Sequence, residues 1–417
     1  MKKFYLPVYY CFMSLLFTVQ SIVYINDVGD QVSFARLSKR YGFFEFAIHR
    51  YQVWSSRLLI ESVTMFMSAH YLIFDLTLLV AVAVFFYCFN GVFLKDDKYW
   101  GLRFIIPALF LLVFPSIFFT SAGLIATVTN YLFPMVAFVI AWYCLEQKKV
   151  KWLLTSFPFM IFACMQEQFT IFALIIFAFL LLKTWLIHEQ VNVYYLSAVV
   201  IAFVGTISAL VAPGSGHRTM VEAKTWYPGF DKLTFVVKIA KGYMETNRVL
   251  FVTSELTIIY LLLIATLVLA LLKRRYISSV MSGAVLYTIL TNRLGSTSLL
   301  TAVQRVNDFQ SQQPITKFSF KANLYPLSLY TILLAVIAIS VFLIFENRWQ
   351  AGTAIVVLAV GYVARMTVSL SPTIYASGLR TYTPLIFSGL IIIMMICCEF
   401  IDTISLQRER KGRSLPQ

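Results

Sequence analysis

Charge is scarce in this chain. Only 13% of its 417 residues are Asp, Glu, Lys or Arg, while 60% are hydrophobic and the mean hydropathy is +0.80. A soluble domain averages about a quarter charged residues, so the shortage excludes an ordinary soluble fold. Short alternating segments are also lacking, which argues against a transmembrane barrel. Cysteines are few, and Cys11, Cys88, Cys144, Cys164, Cys397 and Cys398 all fall within apolar runs. They form no Cys-x-x-Cys pattern and no Cys/His cluster, so neither a zinc site nor a disulfide framework is indicated. They read as small hydrophobes. Neither a Walker A motif nor a dinucleotide fingerprint occurs, and no internal repeat of the kind found in many transporters is visible. No small-x-small cleavage site follows the apolar start. The stretch from Phe4 to Ile25 therefore reads as a retained first transmembrane helix with a cytoplasmic amino terminus.

What the chain has instead is a succession of apolar runs of about 20 residues, each long enough for a bilayer core of about 30 Å. These predict an all-α, polytopic transmembrane helical bundle, a single integral membrane domain over 1–417. About twelve crossings are expected: from Phe4, Tyr71, Leu102, Thr127, Lys151, Phe169, Tyr194, Val249, Ile277, Leu324, Ala351 and Tyr382 onwards. Three polar outer segments separate them, 26–68, 212–248 and 292–323. Tyr41 to Arg50 alternates apolar and charged residues at near-helical spacing, which predicts an interfacial helix. The net charge of +15 follows largely from the positive-inside rule, not from a nucleic-acid partner. Lys2-Lys3, Lys95 and Lys98, Lys148-Lys149-Lys151, Lys273-Arg274-Arg275 and the tail from Arg408 to Arg413 fit short cytoplasmic segments. The 16% aromatic content suits membrane packing and interfacial belts.

Six polar clusters interrupt the apolar runs. They are Asn26 to Asp30, Trp54-Ser55-Ser56-Arg57, Thr129-Asn130-Tyr131, Gln166-Glu167-Gln168, Ala212 to Arg218, and Ser371 to Arg380. One crossing per apolar run puts them all opposite the amino terminus, around one outward-facing cavity. Asp27 and Asp30 suit a base for an incoming hydroxyl, or a cation ligand; Gly29 between them equally suits a solvated turn. Arg57 is placed to grip a phosphate with two hydrogen bonds, or to pair with Glu61 four residues on. A lone carboxylate at Glu167 costs about 2.5–3.5 kcal/mol inside a membrane, so it is expected to face a cavity or an arginine. The plainer alternative is a capped turn in water. Pro213-Gly214-Ser215-Gly216-His217-Arg218 is either an anion-binding nest or an ordinary loop. Arg365, inside an apolar helix, needs a partner: Glu167, a bound phosphate or a structural interhelical pair. Arg380 heads the last helix and is placed for a headgroup.

These motifs, in this order, resemble a bacterial membrane family known as domain of unknown function 6056. The acidic loop after the first helix, Trp54-x-x-Arg57, Asn130-Tyr131-x-x-Pro134 and Glu167 form one half of the pattern. Ala212-Pro213-Gly214-x-x-x-Arg218 and Pro372 to Arg380 form the other. That family is similar in turn to type II O-antigen glucosyltransferases and other C-type glycosyltransferases. The resemblance covers nearly the whole chain and implies about ten to thirteen helices, with interfacial helices in the first outer loop. It implies an inverting, hexosyltransferase-like activity. A sugar would leave a polyprenyl-phosphate carrier for an acceptor glycan or cell-wall polymer, at the outer face of a bacterial plasma membrane, with both termini cytoplasmic. Asp27 or Asp30 would be the base. Arg57, Arg218 and Arg380 would hold the donor phosphate, and Asn130, Tyr131, Glu167 and His217 would line the site. No cofactor is implied, although a divalent cation at Asp27/Asp30 is conceivable. Family members often carry adjacent Asp-Asp and Gly-Arg where this chain has Gly29-Asp30-Gln31 and Ser56-Arg57, which leaves open which aspartate acts. A twelve-helix secondary transporter and an envelope-polysaccharide polymerase or ligase are the rival readings.

Overall fold

The computed structural model describes residues 2–25, 29–253, 255–311 and 317–413. Among them every regular element is helical. Eight helices are long and apolar enough to cross a membrane, nine if the bent pair Phe235–Val252 and Thr257–Leu272 is one span. The chain is thus an all-α, multi-pass membrane protein. The other three expected crossings are helices of a different kind. The one from Leu102 is broken into a 3-10 turn Asp97–Phe104, an α-helix Ile105–Val113 and a second 3-10 turn Ser116–Phe119. Pro115 explains the break, because it has no N–H to donate and pushes Phe114 out of the helical region. The Val150–Ala163 helix carries Pro158 and has 14 residues, about 21 Å at 1.5 Å per residue. Tyr276–Arg293 is long enough at 18 residues but less apolar than the eight. The crossing expected from Val249 starts later, because 249–252 belong to a π-turn that extends the Phe235–Asn247 helix.

Two compact units were not anticipated from sequence. One comprises Met1–Tyr227 with Tyr362–Leu385, the other Pro228–Gly361 with Ile386–Gln417. In the first, the Leu124–Glu146 helix is the hub, with 94% of its span buried, against 17% for Val193–Val211. Its carboxyl-terminal half packs in an aromatic cluster in which Phe138, Trp142 and Phe177 sit 5.6–5.7 Å apart, centre to centre. Such pairs contribute about 0.5–1.5 kcal/mol each beyond area burial. The helix is also wound unevenly: Val128–Leu132 forms a π-turn before Phe133–Glu146 resumes α geometry. Pro134 cannot donate to the Asn130 carbonyl one α-turn back, which removes the bond that would hold regular winding there.

The first polar segment holds three short helices, Asp30–Leu37, Phe43–Val53 and Leu58–Ala69, the second of which covers most of the helix expected over Tyr41 to Arg50. Phe34, Phe46 and Met65, one from each, form their shared core, with Leu37 and Tyr41 packed on it. Glu45 caps the second helix by accepting the Gly42 N–H at 3.1 Å. Ser62 ties the third to the second through a 2.7 Å bond to the Phe43 carbonyl. In the second unit, Ser278, Ser282 and Ser340 make a buried hydroxyl cluster between helices. There the Lys273 ammonium meets Glu399, Glu346 at 3.6 Å and the Ile344 carbonyl at 3.1 Å.

Candidate functional site

Arg57 is the junction of the first unit. It lies just before the Leu58–Ala69 helix, with Ser55 accepting its backbone N–H at 3.3 Å. Its guanidinium takes Glu167 as a fork: Nη2 to Oε2 at 2.7 Å, and Nε to the two carboxylate oxygens at 2.9 and 3.2 Å. Nη1 donates to Asn130 Oδ1 at 3.0 Å. The anticipated pairing with Glu61 does not form. Glu61 is buried and takes Arg50 Nε at 2.5 Å and Ser55 Oγ at 2.8 Å instead. The i,i+4 rule needs both residues inside one helix, and here the helix begins after Arg57.

Asn130 and Tyr131 belong to the π-turn, a feature frequent at functional positions. Asn130 is oriented by Nδ2 donation to the Ala126 carbonyl at 2.8 Å, leaving its oxygen for Arg57. The Tyr131 ring lies between two guanidiniums, Arg57 and Arg380, each 5.7 Å from its centre. Glu167 opens the Glu167–His188 helix, where a negative charge complements the helix dipole. Gln166 caps that helix through its oxygen, bonded to the Phe169 N–H at 2.8 Å. Gln168 reaches across with Nε2 to the Ala364 and Thr381 carbonyls at 3.1 and 2.8 Å. This glutamine therefore fastens the Arg380 turn to the Glu167 helix.

Asp30 heads its helix, and its backbone N–H donates to the Ala122 carbonyl at 3.0 Å. Gly29 makes this approach possible: it has φ +71°, and a Cβ there would lie 2.7 Å from the Ala122 carbonyl carbon. Gln31 completes the join by accepting the Ile125 N–H at 3.2 Å. Asp30 is exposed, yet neighbouring protein strips enough water from its carboxyl to raise its pKa. Arg380 is the strongest opposing charge; Glu61 adds to the rise, while Arg50 and Arg218 work against it. Asp27 lies outside the described residues.

Pro213 to Arg218 is neither a nest nor a loop but the first turn of a helix, Pro213–Trp226. Gly214 packs so tightly on the Val53–Trp54 backbone that a Cβ would fall 2.1 Å from the Trp54 nitrogen. The glycine thus serves helix packing, not ligand approach. His217 meets the Trp54 ring edge-on at 6.4 Å. Arg218 pairs with Glu222 at 2.8 Å in its own helix, and its field extends to Asp30 and Glu167.

Arg380 lies in a 3-10 turn, Leu379–Tyr382, entered through Gly378 at φ +63°. Arg365 is 1% exposed. Its Nη2 donates to the Tyr382 hydroxyl at 3.3 Å, and its guanidinium stacks 4.3 Å over that ring. The alternative partner, Glu167, is taken by Arg57.

The structure therefore brings Arg57, Asn130, Tyr131, Glu167, Asp30, Arg218 and Arg380 into one charged network, with His217 at its edge on Trp54. Sequence reading overlooked Arg50 and Glu222 as charge partners, and Gln168 as a brace, and it offered Glu61 to Arg57 instead of Arg50. It also overlooked Asp75, a carboxyl in the Tyr71–Phe93 span with a buried oxygen that has no hydrogen-bond partner. Among the described residues no three His, Cys, Asp or Glu side chains gather as a metal site, and Asp27 of the conceivable Asp27/Asp30 pair lies outside them. A cavity of about 400 Å³, lined by Tyr10, Asn90, Lys95, Arg103, Tyr143 and Glu146 among others, lies elsewhere. Asn130 and Glu146 are 16 residues apart on one helix, about 24 Å, so that cavity is separate from the network. No family model matches this chain, and neither a curated protein nor a solved structure is significantly similar to it.

Proposed function

We propose that this protein is an integral-membrane glycosyltransferase. It moves a sugar from a polyprenyl-phosphate carrier to an acceptor glycan of the cell envelope, at the outer face of a bacterial plasma membrane. One observation carries the reading: an excess of guanidinium beside a carboxyl of raised pKa, gathered at one end of apolar helices. Arg50, Arg57 and Arg218 are matched by Glu61, Glu167 and Glu222. Arg380 has no ion pair among the described residues, and it is the strongest opposing charge at Asp30. A surplus cation next to a potential base suits a phosphate leaving group and a hydroxyl nucleophile.

In this mechanism the acceptor hydroxyl gives its proton to the Asp30 carboxylate as its oxygen bonds to the anomeric carbon. The bond from that carbon to the phosphate oxygen breaks on the opposite side, its electron pair leaving with the lipid phosphate, and the centre inverts. Arg380 meets the growing phosphate charge, the electrostatic stabilisation that usually dominates such steps. Arg57 and Arg218, already neutralised, position Asn130, Tyr131 and the Pro213–Trp226 helix. The orientation fits the positive-inside rule, since Lys95, Lys98 and Lys148 to Lys151 follow the opposite ends of the Tyr71–Phe93 and Leu124–Glu146 helices.

Protein purified in detergent is expected to transfer sugar from a synthetic polyprenyl-phosphate sugar to an acceptor glycan. Asp30→Asn should cut the rate by about 10²–10⁴-fold, and Arg380→Gln by about 10²–10³-fold. Full activity in both Asp30→Asn and Asp27→Asn would refute the base assignment. Proton- or sodium-driven solute uptake by proteoliposomes, without transfer, would replace the enzyme reading with a transporter.

A further inference from the structure

A guanidinium cannot shed its proton in a protein, so a buried one must be met by acceptors. Arg365 is met by little. It sits five residues from the end of the Arg348–Leu370 span, about 1.4 helical turns. Its Nη2 has one long bond to the Tyr382 hydroxyl, while Nε and Nη1 are buried with no hydrogen-bond partner. No carboxylate pairs with it among the described residues. Arg380, in the turn that also holds Tyr382, has a buried Nε in the same condition. Gln168 bonds the carbonyls of Ala364 and Thr381, the immediate neighbours of Arg365 and Arg380. The backbone around both arginines is therefore clamped while their charges stay unmatched. Buried polar groups left unsatisfied call for an explanation such as a missing ion or water, and ionisable residues inside a membrane span are functional by default. Water would satisfy the N–H groups but not the charge.

We propose that Arg365 is the seat of an intramembrane phosphate-binding site, closed on one side by Tyr382 and distinct from the carboxylate-paired Arg57 and Arg218. Its ligand is a lipid phosphate; that the lipid is the polyprenyl carrier rests on the function proposed above. The stacked ring fixes the guanidinium plane and leaves Nε and Nη1, on different edges of that plane, each to donate a charged hydrogen bond to a phosphate oxygen.

The test uses the full-length protein in an uncharged detergent, with polyprenyl phosphate or phosphatidylglycerol added and the thermal midpoint recorded. Polyprenyl phosphate is expected to raise the midpoint of the wild type. Arg365→Gln should weaken its apparent affinity at least tenfold, Tyr382→Phe a few-fold, and Lys95→Gln at the far helix ends not at all. If Arg365→Gln does not fold, Arg365→Lys replaces it, keeping the charge but losing the planar set of donors, with the same tenfold loss expected. An unchanged affinity in a folded Arg365 variant overturns the site, as does a wild type that responds to neither lipid. Arg365-dependent stabilisation by phosphatidylglycerol alone upholds the phosphate site and removes the polyprenyl-donor reading.

Discussion

Two buried cations in this protein are treated in opposite ways. Lys273, in the second unit, has a side chain 3% exposed, and two glutamates and a backbone carbonyl surround it. Arg365, in the first unit, is buried as deeply and has one tyrosine. Both residues lie near the end of an apolar helix and both are basic. The Lys273 cluster is complete as it stands and has no valence left for a ligand. The Arg365 region is incomplete in the same accounting, and so is its neighbour Arg380. Satisfied charge marks architecture; unsatisfied charge marks a place prepared for something that arrives.

The sharpest way to break this contrast is to delete each cation. Lys273→Met should strand the buried Glu399 carboxylate, Glu346 being largely exposed, and cost about 3–5 kcal/mol, the usual effect of breaking a buried pair from one side. Arg365→Met strands no acid, so the ligand-free protein should be unharmed or slightly more stable. Chemical denaturation of both variants in detergent would measure this. A loss at Arg365 matching that at Lys273 would erase the distinction.

A smaller effect is expected at Glu167→Gln, which leaves the Arg57 fork facing a neutral amide. The loss of a charged hydrogen-bond partner costs about 1–3 kcal/mol, and partial exposure of Glu167 puts this case at the low end. Asp30 provides a test by pH. Its raised pKa means that ionisation is disfavoured in the folded state, so stability falls as pH rises from the usual carboxylate range to the folded value, and the full penalty is present above it. Asp30→Asn should therefore raise the thermal midpoint slightly near neutral pH, and the gain should vanish below the usual carboxylate range, where wild-type Asp30 is protonated. Activity should show the companion effect, falling away in acid at a pH above that range, because the base must be ionised to act. Smallest of all is Arg218→Gln. It breaks an i,i+4 pair worth about 0.3–0.5 kcal/mol, and so should barely move the midpoint.

Much of the helical framework was legible in the apolar runs, because a span long enough to cross a bilayer needs no tertiary context to be recognised. The polar interruptions at Arg57, Asn130, Glu167 and Arg380 were legible for the same reason: they are expensive where they stand. Which charges would pair was not. Arg57 is joined to a glutamate 110 positions away, a fact of tertiary register that local spacing does not encode. Glu61 looked like its partner by helical periodicity, yet a helix starting one residue later handed Glu61 to Arg50. Gly214 looked like a ligand-facing glycine because its neighbour, the Trp54 backbone, is invisible from Pro213 to Arg218 alone. The third run was read as one crossing and is interrupted, although Pro115, whose effect on Phe114 is local chemistry, carried the signal.

The π-turn at Val128–Leu132 has one more consequence. Winding an additional residue into a turn rotates everything beyond it by about 100° relative to an unbroken α-helix. Asn130 and Tyr131 are aimed within that turn, and Phe138 and Trp142 are aimed after it. The two ends of this hub helix thus keep separate angular frames, reconciled by a single surplus amino acid. Deleting one residue there would let the winding become regular, but only by turning either the polar tip or the aromatic half away from its partners.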